Sequence, residues 1–389
     1  MAALTQVYLG ISTFFAVKFF AIGIFMPFFP VVLASRGLNG AEISVILAVG
    51  PLARIAAGPW LGSLSDRFQH RKHGILLYAA LGTVFIAPLP FADSFTTLLI
   101  VASLSALFTM SVLPAADALA IVASKRFSLQ YGHLRLWGSF AFIAANFFAG
   151  WLLDVSGPDL VVWMIVATFA AIALAALALP EDGSKEAPAR HALWSVPAVR
   201  LILADRPLAA ALSASVLVQG AHAMLYGFGT IYWQSLGLTG LQIGGAWGLG
   251  VVAEVVLFGL AGRITRPHAG VLLILLGALA GMLRWGATPF ADTLIPILLL
   301  QVLHGLTFGA THIGAMRMIG ERIPDNHAGG ALGLFTAATG LAMSAGFALS
   351  GWAYDLYQGH AFWLMAGFCL LALVVGLFGG LKRDRQQPA

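Results

Sequence analysis

The stretch GLNGAEISVILAVGPLARIAAGPWLGSLSDRFQHRK, residues 37–72, decides the fold, because a diverged copy of its first part returns 200 positions later. The repeated residues are Gly37, Leu38, Gly40, Ile43, Gly50, Ala53 and Gly62, which match Gly237, Leu238, Gly240, Ile243, Gly250, Ala253 and Gly262. In both copies a short turn precedes an apolar helix of about 20 residues that carries one buried charge, Arg54 or Glu254. This pattern indicates a tandem duplication.

Composition predicts an integral membrane protein. Hydrophobic residues make up 60% of the chain and charged residues only 10%, which is too apolar for a soluble globule. The net charge of +5 does not indicate a nucleic-acid partner, since the basic residues form short clusters between apolar runs. The single cysteine, Cys369, excludes an intrachain disulfide. The first apolar run lacks a basic leader and a cleavage site, so we interpret it as a retained helix rather than a signal peptide.

The apolar runs predict an all-α membrane protein with twelve transmembrane helices in two six-helix parallel repeats. Residues 1–180 form the predicted N-terminal bundle, 181–206 a cytoplasmic linker, and 207–389 the C-terminal bundle. The segment PAVRLILADR in the linker fits either an amphipathic helix on the membrane surface or a plain connection.

Lys and Arg set the predicted orientation. With a cytoplasmic N-terminus, the loop cations lie inside apart from Arg36, which is a strong positive-inside asymmetry. We therefore expect both termini in the cytoplasm and a multi-pass protein of the cell (inner) membrane.

Local motifs resemble those of a known superfamily. Gly62-Ser-Leu-Ser-Asp66-Arg67, followed by Arg71-Lys72, resembles the loop motif between the second and third helices of the major facilitator superfamily. Gln69 stands where that motif usually has glycine, and the second copy has Arg266 in place of the aspartate. The resemblance implies that Gly62, Asp66 and Arg67 form a gate that stabilises one access state, whereas a purely topological charge cluster is the alternative.

More specific motifs narrow the resemblance. They are Asp117-Ala-Leu, YGHLRLWGS at 131–139, QGAHAMLYGFGTIYWQ at 219–234, GVVAEV at 250–255, LRWG at 283–286 and LHGLTFGATHIGAMR at 303–317. Together they resemble the 3-phenylpropionate permease group of proton-coupled symporters over most of the chain. Lys18 in the first helix is not part of that group's pattern.

Charged residues in the predicted spans support transport independently, because each costs free energy unless it faces a cavity or a partner. The cations are Lys18, Arg54, Arg135, Arg284 and Arg317, and the anions are Asp117 and Glu254. The excess of cations predicts an anionic solute, such as a carboxylate held by an Arg fork.

Glu254 is the first candidate for the coupling proton and Asp117 is the second. A carboxyl group at bilayer depth can change its charge as neighbouring cations move. The alternative for Glu254 is a static charge pair between the halves. Asp117 and Arg135 similarly either serve the substrate or hold the fourth and fifth helices together.

Further substrate-binding candidates are Lys18, Arg54, Gln219, His222, Tyr226, Trp233 and His304. Gln219, His222 and Tyr226 recur at helical spacing, which suits either a cavity wall or a helix contact. His304 and His312 fit either a functional site or ordinary helix contacts, and no third ligand suggests a metal site. Trp233 could stack on an aromatic substrate.

These features predict a proton symporter that imports a small organic anion, with an aromatic carboxylate as the leading substrate class. We expect no cofactor and a functional monomer. A nucleoside or oligosaccharide symporter and a drug-efflux antiporter remain alternatives within transport. An enzyme would need a catalytic set in the loops, and a membrane sensor would normally carry a sizeable output domain.

Overall fold

The computed structural model describes residues 2–65, 68, 70–181, 196–263 and 269–380. Every regular element in these ranges is helical. The α-helices are α1 (Ala2–Ser35), α2 (Gly40–Ser65), α3 (Arg71–Ile86), α4 (Phe95–Phe127), α5 (Tyr131–Ala176), α6 (Val196–Ala204), α7 (Arg206–Gly220), α8 (Thr230–Ser235), α9 (Gly240–Ala261), α10 (Ala269–Ala287), α11 (Leu294–Val302), α12 (Thr311–Arg322), α13 (Asp325–Tyr357) and α14 (Phe362–Gly380). The all-helical prediction is confirmed for these residues.

The described chain contains ten continuous helical stretches that are long and apolar enough to cross a membrane. Two of them are much longer than one bilayer crossing requires, namely Tyr131–Ala176 and Asp325–Gly379. The first is broken at Gly157, whose backbone is non-helical with φ 70° and ψ −173°. The second contains the 3₁₀ segment Gln358–Ala361. These breaks lie between the fifth and sixth and between the eleventh and twelfth predicted segments, so twelve remains the predicted count.

The internal repeat has the same local structure in both copies. Gly37 and Gly237 adopt φ values of 81° and 83°, a left-handed conformation that glycine accepts without a Cβ clash. Each glycine follows the end of one helix and precedes a capping box at the start of the next. Asn39 exchanges hydrogen bonds with Glu42, and Thr239 exchanges them with Gln242. The repeated turn predicted from the sequence is therefore a repeated helix cap.

An aspartate completes each of these two caps. Asp355 accepts hydrogen bonds from the backbone N–H groups of Gly40 and Ala41 at 2.8 and 3.1 Å. Asp154 accepts from those of Gly240 and Leu241 at 2.5 and 2.9 Å. A carboxylate at a helix N-terminus satisfies unpaired donors and complements the helix dipole.

Contacts divide the chain into two compact units. Unit 1 contains Met1–Arg190, Leu225–Leu249 and Phe347–Asp355, and unit 2 contains His191–Met224, Gly250–Gly346 and Leu356–Ala389. In unit 1, α1 packs along α5, while α2 and α3 pack on α4. In unit 2, α14 packs on α7 and α10, and α10 also packs on α12. The division into bundles at the linker remains a prediction.

Part of the predicted linker lies within the described residues. Val196–Ala204 forms the short helix α6, and Asp205 caps α7 by accepting from the backbone N–H of Leu208 at 3.0 Å. Asp205 also forms a salt bridge with Arg322 at 2.8 Å. Residues 182–195 lie outside the described part of the chain. The position of α6 on a membrane surface remains a prediction.

Candidate functional site

In unit 1, Asp117 on α4 is the centre of a polar cluster. The hydroxyl of Tyr131 donates a hydrogen bond to its Oδ1 atom at 2.9 Å, and Nε of Arg135 lies 3.6 Å from the same oxygen. Arg54 on α2 also interacts with Asp117 electrostatically. The Asp117 carboxylate on α4 therefore interacts with two cations and a phenol, which come from α2 and α5.

Aromatic rings surround the guanidinium of Arg135. Its central carbon lies 3.8 Å from the ring centroid of Phe19 and 5.4 Å from that of Phe15. Phe15 in turn packs edge-to-face against Tyr131, with centroids 6.3 Å apart. Arg135 is thus held by cation–π contacts as well as by Asp117, in surroundings that combine positive charge with aromatic faces.

The environment of Arg54 differs from the one that the sequence predicts. The repeat predicts a buried charge there, but the Arg54 side chain is exposed, whereas that of Glu254 is half-buried. The reason is that α2 buries a stripe of Ala53, Ala57 and Leu61, at the four-residue spacing of one helix face. Arg54 follows Ala53 and lies to one side of that stripe.

Lys18 is buried in unit 1, with only 6% of its surface exposed. It shares a face of α1 with Ile11, Phe14 and Ala21, which belong to the core of the unit. Among the described residues, no hydrogen bond, salt bridge or cation–π contact reaches its ammonium group.

In unit 2, Glu254 and His304 lie at one end of a second polar cluster. The Oε2 atom of Glu254 is 3.8 Å from Nε2 of His304. Nδ1 of His304 faces Nη1 of Arg284 at 3.1 Å. Arg284 is 1% exposed and also donates to Oγ1 of Thr307 at 3.0 Å and to Oε1 of Gln301. A fully buried guanidinium therefore organises the polar groups of three consecutive turns.

The hydrogen-bond partners imply the histidine tautomers. A guanidinium can only donate, so Nδ1 of His304 accepts from Arg284 and its proton lies on Nε2, which faces Glu254. His222 has the opposite arrangement. Its Nδ1 donates to the carbonyl of Val218 at 3.0 Å, and its Nε2 accepts from the hydroxyl of Thr307 at 3.1 Å. The hydrogen bonds of the cluster therefore all point away from Arg284, which donates to His304 and to Thr307, and Thr307 in turn donates to His222.

The other polar residues of the seventh segment have distinct surroundings. Gln219 is buried and donates to the Phe308 carbonyl at 3.2 Å and to Thr311 Oγ1 at 3.1 Å. Tyr226 instead packs beside Trp247, with ring centroids 6.0 Å apart. Trp233 also packs on Trp247, at 5.9 Å. The structure thus brings Gln219, His222 and His304 together in unit 2 and places Tyr226 and Trp233 in unit 1.

Two π-helical turns adjoin these residues. They span Leu225–Gly229, after His222, and Gly305–Ala310, after His304. Such turns are rare and are frequently found at functional sites. The second of them carries Thr307, which links Arg284 to His222.

The predicted gate lies largely outside the described residues. Asp66 and Arg67 are not among them, nor is Arg266 in the second copy. Gly62 lies in the last part of α2. Its proposed role therefore rests on the motif alone.

Sequence reasoning did not assign sites to several residues that the clusters contain. From the sequence, Arg284 is recognisable only as a charge inside a span, and no pattern indicates a role for Tyr131, Gln301 or Thr307. The signal for Arg284 was present, because an arginine at bilayer depth is expensive. Single Tyr, Gln and Thr residues in apolar helices carry no comparable signal.

Comparison with known proteins agrees with this fold. The model of the MFS_1 like family matches residues 8–365. A probable 3-phenylpropionic acid transporter of Escherichia coli (strain K12) is 32% identical over 370 residues, which cover 91% of this chain and 93% of that protein. The maltose permease of Geobacillus stearothermophilus is 27% identical over 96% of this chain and 94% of the permease.

Solved structures of membrane transporters have the same fold as this chain. The crystal structure of the nucleoside transporter NupG superposes with a TM-score of 0.84 at 15% identity, over 97% of this chain and all of that one. The relatives and structural neighbours are membrane transporters and not enzymes. The predicted resemblance to the 3-phenylpropionate permease group is confirmed. This chain therefore belongs to the MFS_1-like family and is a multi-pass membrane transporter with the major facilitator fold.

Proposed function

We propose that this transporter is a proton-coupled symporter that imports a small organic anion, with an aromatic carboxylate such as 3-phenylpropionate as the leading candidate. It works by alternating access in the cell (inner) membrane, with both termini in the cytoplasm, and functions as a monomer. The name of the Escherichia coli relative supports this substrate class.

The proposal rests mainly on the carboxylate of Asp117, which interacts with two arginines and a tyrosine at once. This carboxylate accepts a hydrogen bond from the hydroxyl of Tyr131, lies 3.6 Å from Arg135, and interacts electrostatically with Arg54. When a proton neutralises Asp117, its attraction for the two guanidinium groups is lost. Arg135 can then offer its fork to a substrate carboxylate, beside the aromatic faces of Phe15 and Phe19. Binding of a proton and of an anion would thereby favour each other.

Glu254 is the other proposed proton site and, from the sequence, the first candidate for the coupling proton. Its neighbour His304 presents a ring N–H, and the 3.8 Å separation exceeds a normal hydrogen bond. A small movement of α9 relative to the following helices would therefore make or break this contact. Such a contact lets the charge of Glu254 depend on the conformation of unit 2.

The substrate-binding residues we propose are Lys18, Arg54, Arg135, Gln219, His222, Tyr226, Trp233 and His304. The cations attract the carboxylate, and the aromatic and amide groups select the remainder of the solute. Gly62, Asp66 and Arg67 form the proposed gate at the cytoplasmic end of α2.

Transport in proteoliposomes with an imposed pH gradient tests this function. Labelled 3-phenylpropionate, maltose and a nucleoside are compared as substrates, with protein-free vesicles as the control. We expect saturable, gradient-dependent uptake of the aromatic acid alone. Uptake that is equally fast for the acid and for its methyl ester, above the protein-free rate, would contradict an anion site.

A neutral sugar is the second candidate. It is favoured by the 27% identity to a maltose permease over nearly the whole chain. Saturable uptake of maltose without uptake of the acid would establish it.

A further inference from the structure

Lys18 differs from the other four cations that lie well inside the described spans, because it has no partner. Arg54 and Arg135 interact with Asp117, and Arg284 donates to Gln301 and Thr307. Arg317 donates to the carbonyl of Ala261 at 3.2 Å. No described group forms a hydrogen bond or salt bridge with the Lys18 ammonium, although 94% of the residue is buried.

No described charged group on the neighbouring helices pairs with Lys18. The helices α2, α4, α5 and α8 and the π-helical turn Leu225–Gly229 pack against α1. The titratable residues of these elements are Glu42 and Arg54 on α2, Asp117, Lys125 and Arg126 on α4, Tyr131, His133, Arg135, Asp154 and Asp159 on α5, Tyr226 in the π-helical turn and Tyr232 on α8. None of the acids is within salt-bridge distance of Lys18. Asp117 faces Arg135 instead, and Asp154 faces the start of α9.

An ammonium group that is largely removed from water and has no counter-charge is destabilised, because no protein group replaces the hydration that it has lost. Its aliphatic stem packs well among apolar side chains, but its charged end does not. Lys18 is also well placed for a solute. Phe15 and Phe19, which flank it on α1, carry the guanidinium of Arg135. Lys18 is therefore at the same level of α1 as the proposed anion site.

We propose that Lys18 is the counter-ion of the substrate carboxylate and the residue that makes an acidic solute obligatory for this chain. This inference rests on the proposed function and deepens it, because it names Lys18 as the cation that receives the carboxylate before protonation of Asp117 releases Arg135. Arg135 remains with Asp117 until that acid is protonated, whereas Lys18 is available in the empty transporter.

The first test measures the thermal stability of the purified, full-length, ligand-free protein. Lys18→Met removes an unpaired buried charge and retains the apolar stem, so we expect a higher Tm than in the wild type. Lys125→Met removes an exposed charge and serves as the matched control, with no change expected. A lower Tm in Lys18→Met would overturn the proposal, because it would show that the ammonium has a stabilising partner in the empty protein.

The second test measures binding of 3-phenylpropionate and of its neutral amide, 3-phenylpropanamide, by intrinsic tryptophan fluorescence. We expect Lys18→Met to weaken acid binding about tenfold or more, as for the loss of one charge-assisted hydrogen bond, and to leave amide binding unchanged. Lys18→Arg should retain most of the affinity for the acid. Equal weakening of acid and amide would indicate a packing role and overturn the proposal.

The outcomes separate this inference from the proposed function. If wild type and Lys18→Met bind and transport 3-phenylpropionate equally well, Lys18 is not the counter-ion and the proposed function stands. If the wild type does not bind 3-phenylpropionate, the proposed substrate is wrong. A panel of acetate, benzoate and succinate is then compared in the thermal assay. Lys18 fails as a carboxylate site if none of them stabilises the wild type more than Lys18→Met.

Discussion

Glu254 and Asp117 are acids whose neighbours differ in kind. Asp117 faces guanidinium groups and a phenol in unit 1, so its charge is compensated where it stands. Glu254 faces the ring N–H of a histidine whose other nitrogen is occupied by Arg284. A carboxylate beside a neutral donor is less firmly held in its charged form than one beside a guanidinium. At the residue scale, protonation of Asp117 would therefore release guanidinium groups, whereas protonation of Glu254 would change its contact with a histidine.

Glu254→Gln is expected to separate coupling from binding. The amide keeps the size of the side chain and a hydrogen-bonding oxygen but cannot take up a proton. We predict that pH-driven uptake of 3-phenylpropionate falls to the protein-free rate, while counterflow exchange without a gradient persists. Gradient-driven uptake at the wild-type initial rate would refute the assignment.

Arg284→Met should destabilise the protein strongly. The substitution leaves Gln301, Thr307 and His304 without their common donor, and each unsatisfied buried polar group costs about 1–3 kcal/mol. Arg263→Met, at an exposed position just after the end of α9, is the matched control and should have little effect. The measurement is thermal unfolding followed by tryptophan fluorescence. Equal stability of the two variants would contradict the organising role of Arg284.

The ionisable residues of both clusters were predictable because charge is rare and costly inside apolar helices. Their partners were not. Thr307 and Gln301 become part of the site only because the π-helical turn and the Arg284 side chain bring them together. Helical spacing grouped Tyr226 with Gln219 and His222, but the structure places it beside Trp247. Spacing along a helix predicts which residues lie on the same face, but it does not predict which other element packs against that face.

At the scale of elements, α2 and α9 begin in the same way. Each follows a glycine turn, starts with a capping box and has an aspartate that accepts hydrogen bonds from its first N–H groups. The turn and its glycines were visible in the sequence, since Gly37 and Gly237 occupy equivalent positions and both have positive φ. The aspartates were not assigned, because Asp154 and Asp355 are far in sequence from the helix starts they cap. Close backbone approach accompanies each cap. A Cβ on Gly150 would lie 2.0 Å from the carbonyl oxygen of Gly240.

Loss of either aspartate cap should reduce stability by a moderate amount. Asp154→Ala and Asp355→Ala each leave two backbone N–H groups of a helix start unsatisfied, and loss of a cap typically costs about 1 kcal/mol. Asp292→Ala, at an exposed position, is the control. We expect lower Tm values for the first two variants only, and a larger loss in the double variant. A Tm unchanged in the double variant would show that these caps contribute nothing.

At the scale of the whole molecule, composition and repeat predicted a duplicated protein with many membrane spans, and the resemblance of local motifs indicated a major facilitator transporter. Apolar length determines that the segments cross a bilayer, and duplication determines that they come in two sets. The ten continuous stretches among the described residues and the twelve predicted segments differ because two pairs of successive segments are joined directly, at the kink of Gly157 and at the 3₁₀ segment Gln358–Ala361. Hydropathy locates apolar runs, but it does not show where a helix continues across a turn.

The central claim is that an acidic solute enters together with a proton. Its most direct test is the initial rate of 3-phenylpropionate uptake into proteoliposomes at fixed external pH, while the internal pH is raised. Fixed external pH keeps passive entry of the neutral acid constant, and protein-free vesicles measure that background. The account predicts a saturable rate above background that increases with internal pH in the wild type and stays flat in Glu254→Gln. A wild-type rate that does not respond to internal pH would contradict proton coupling.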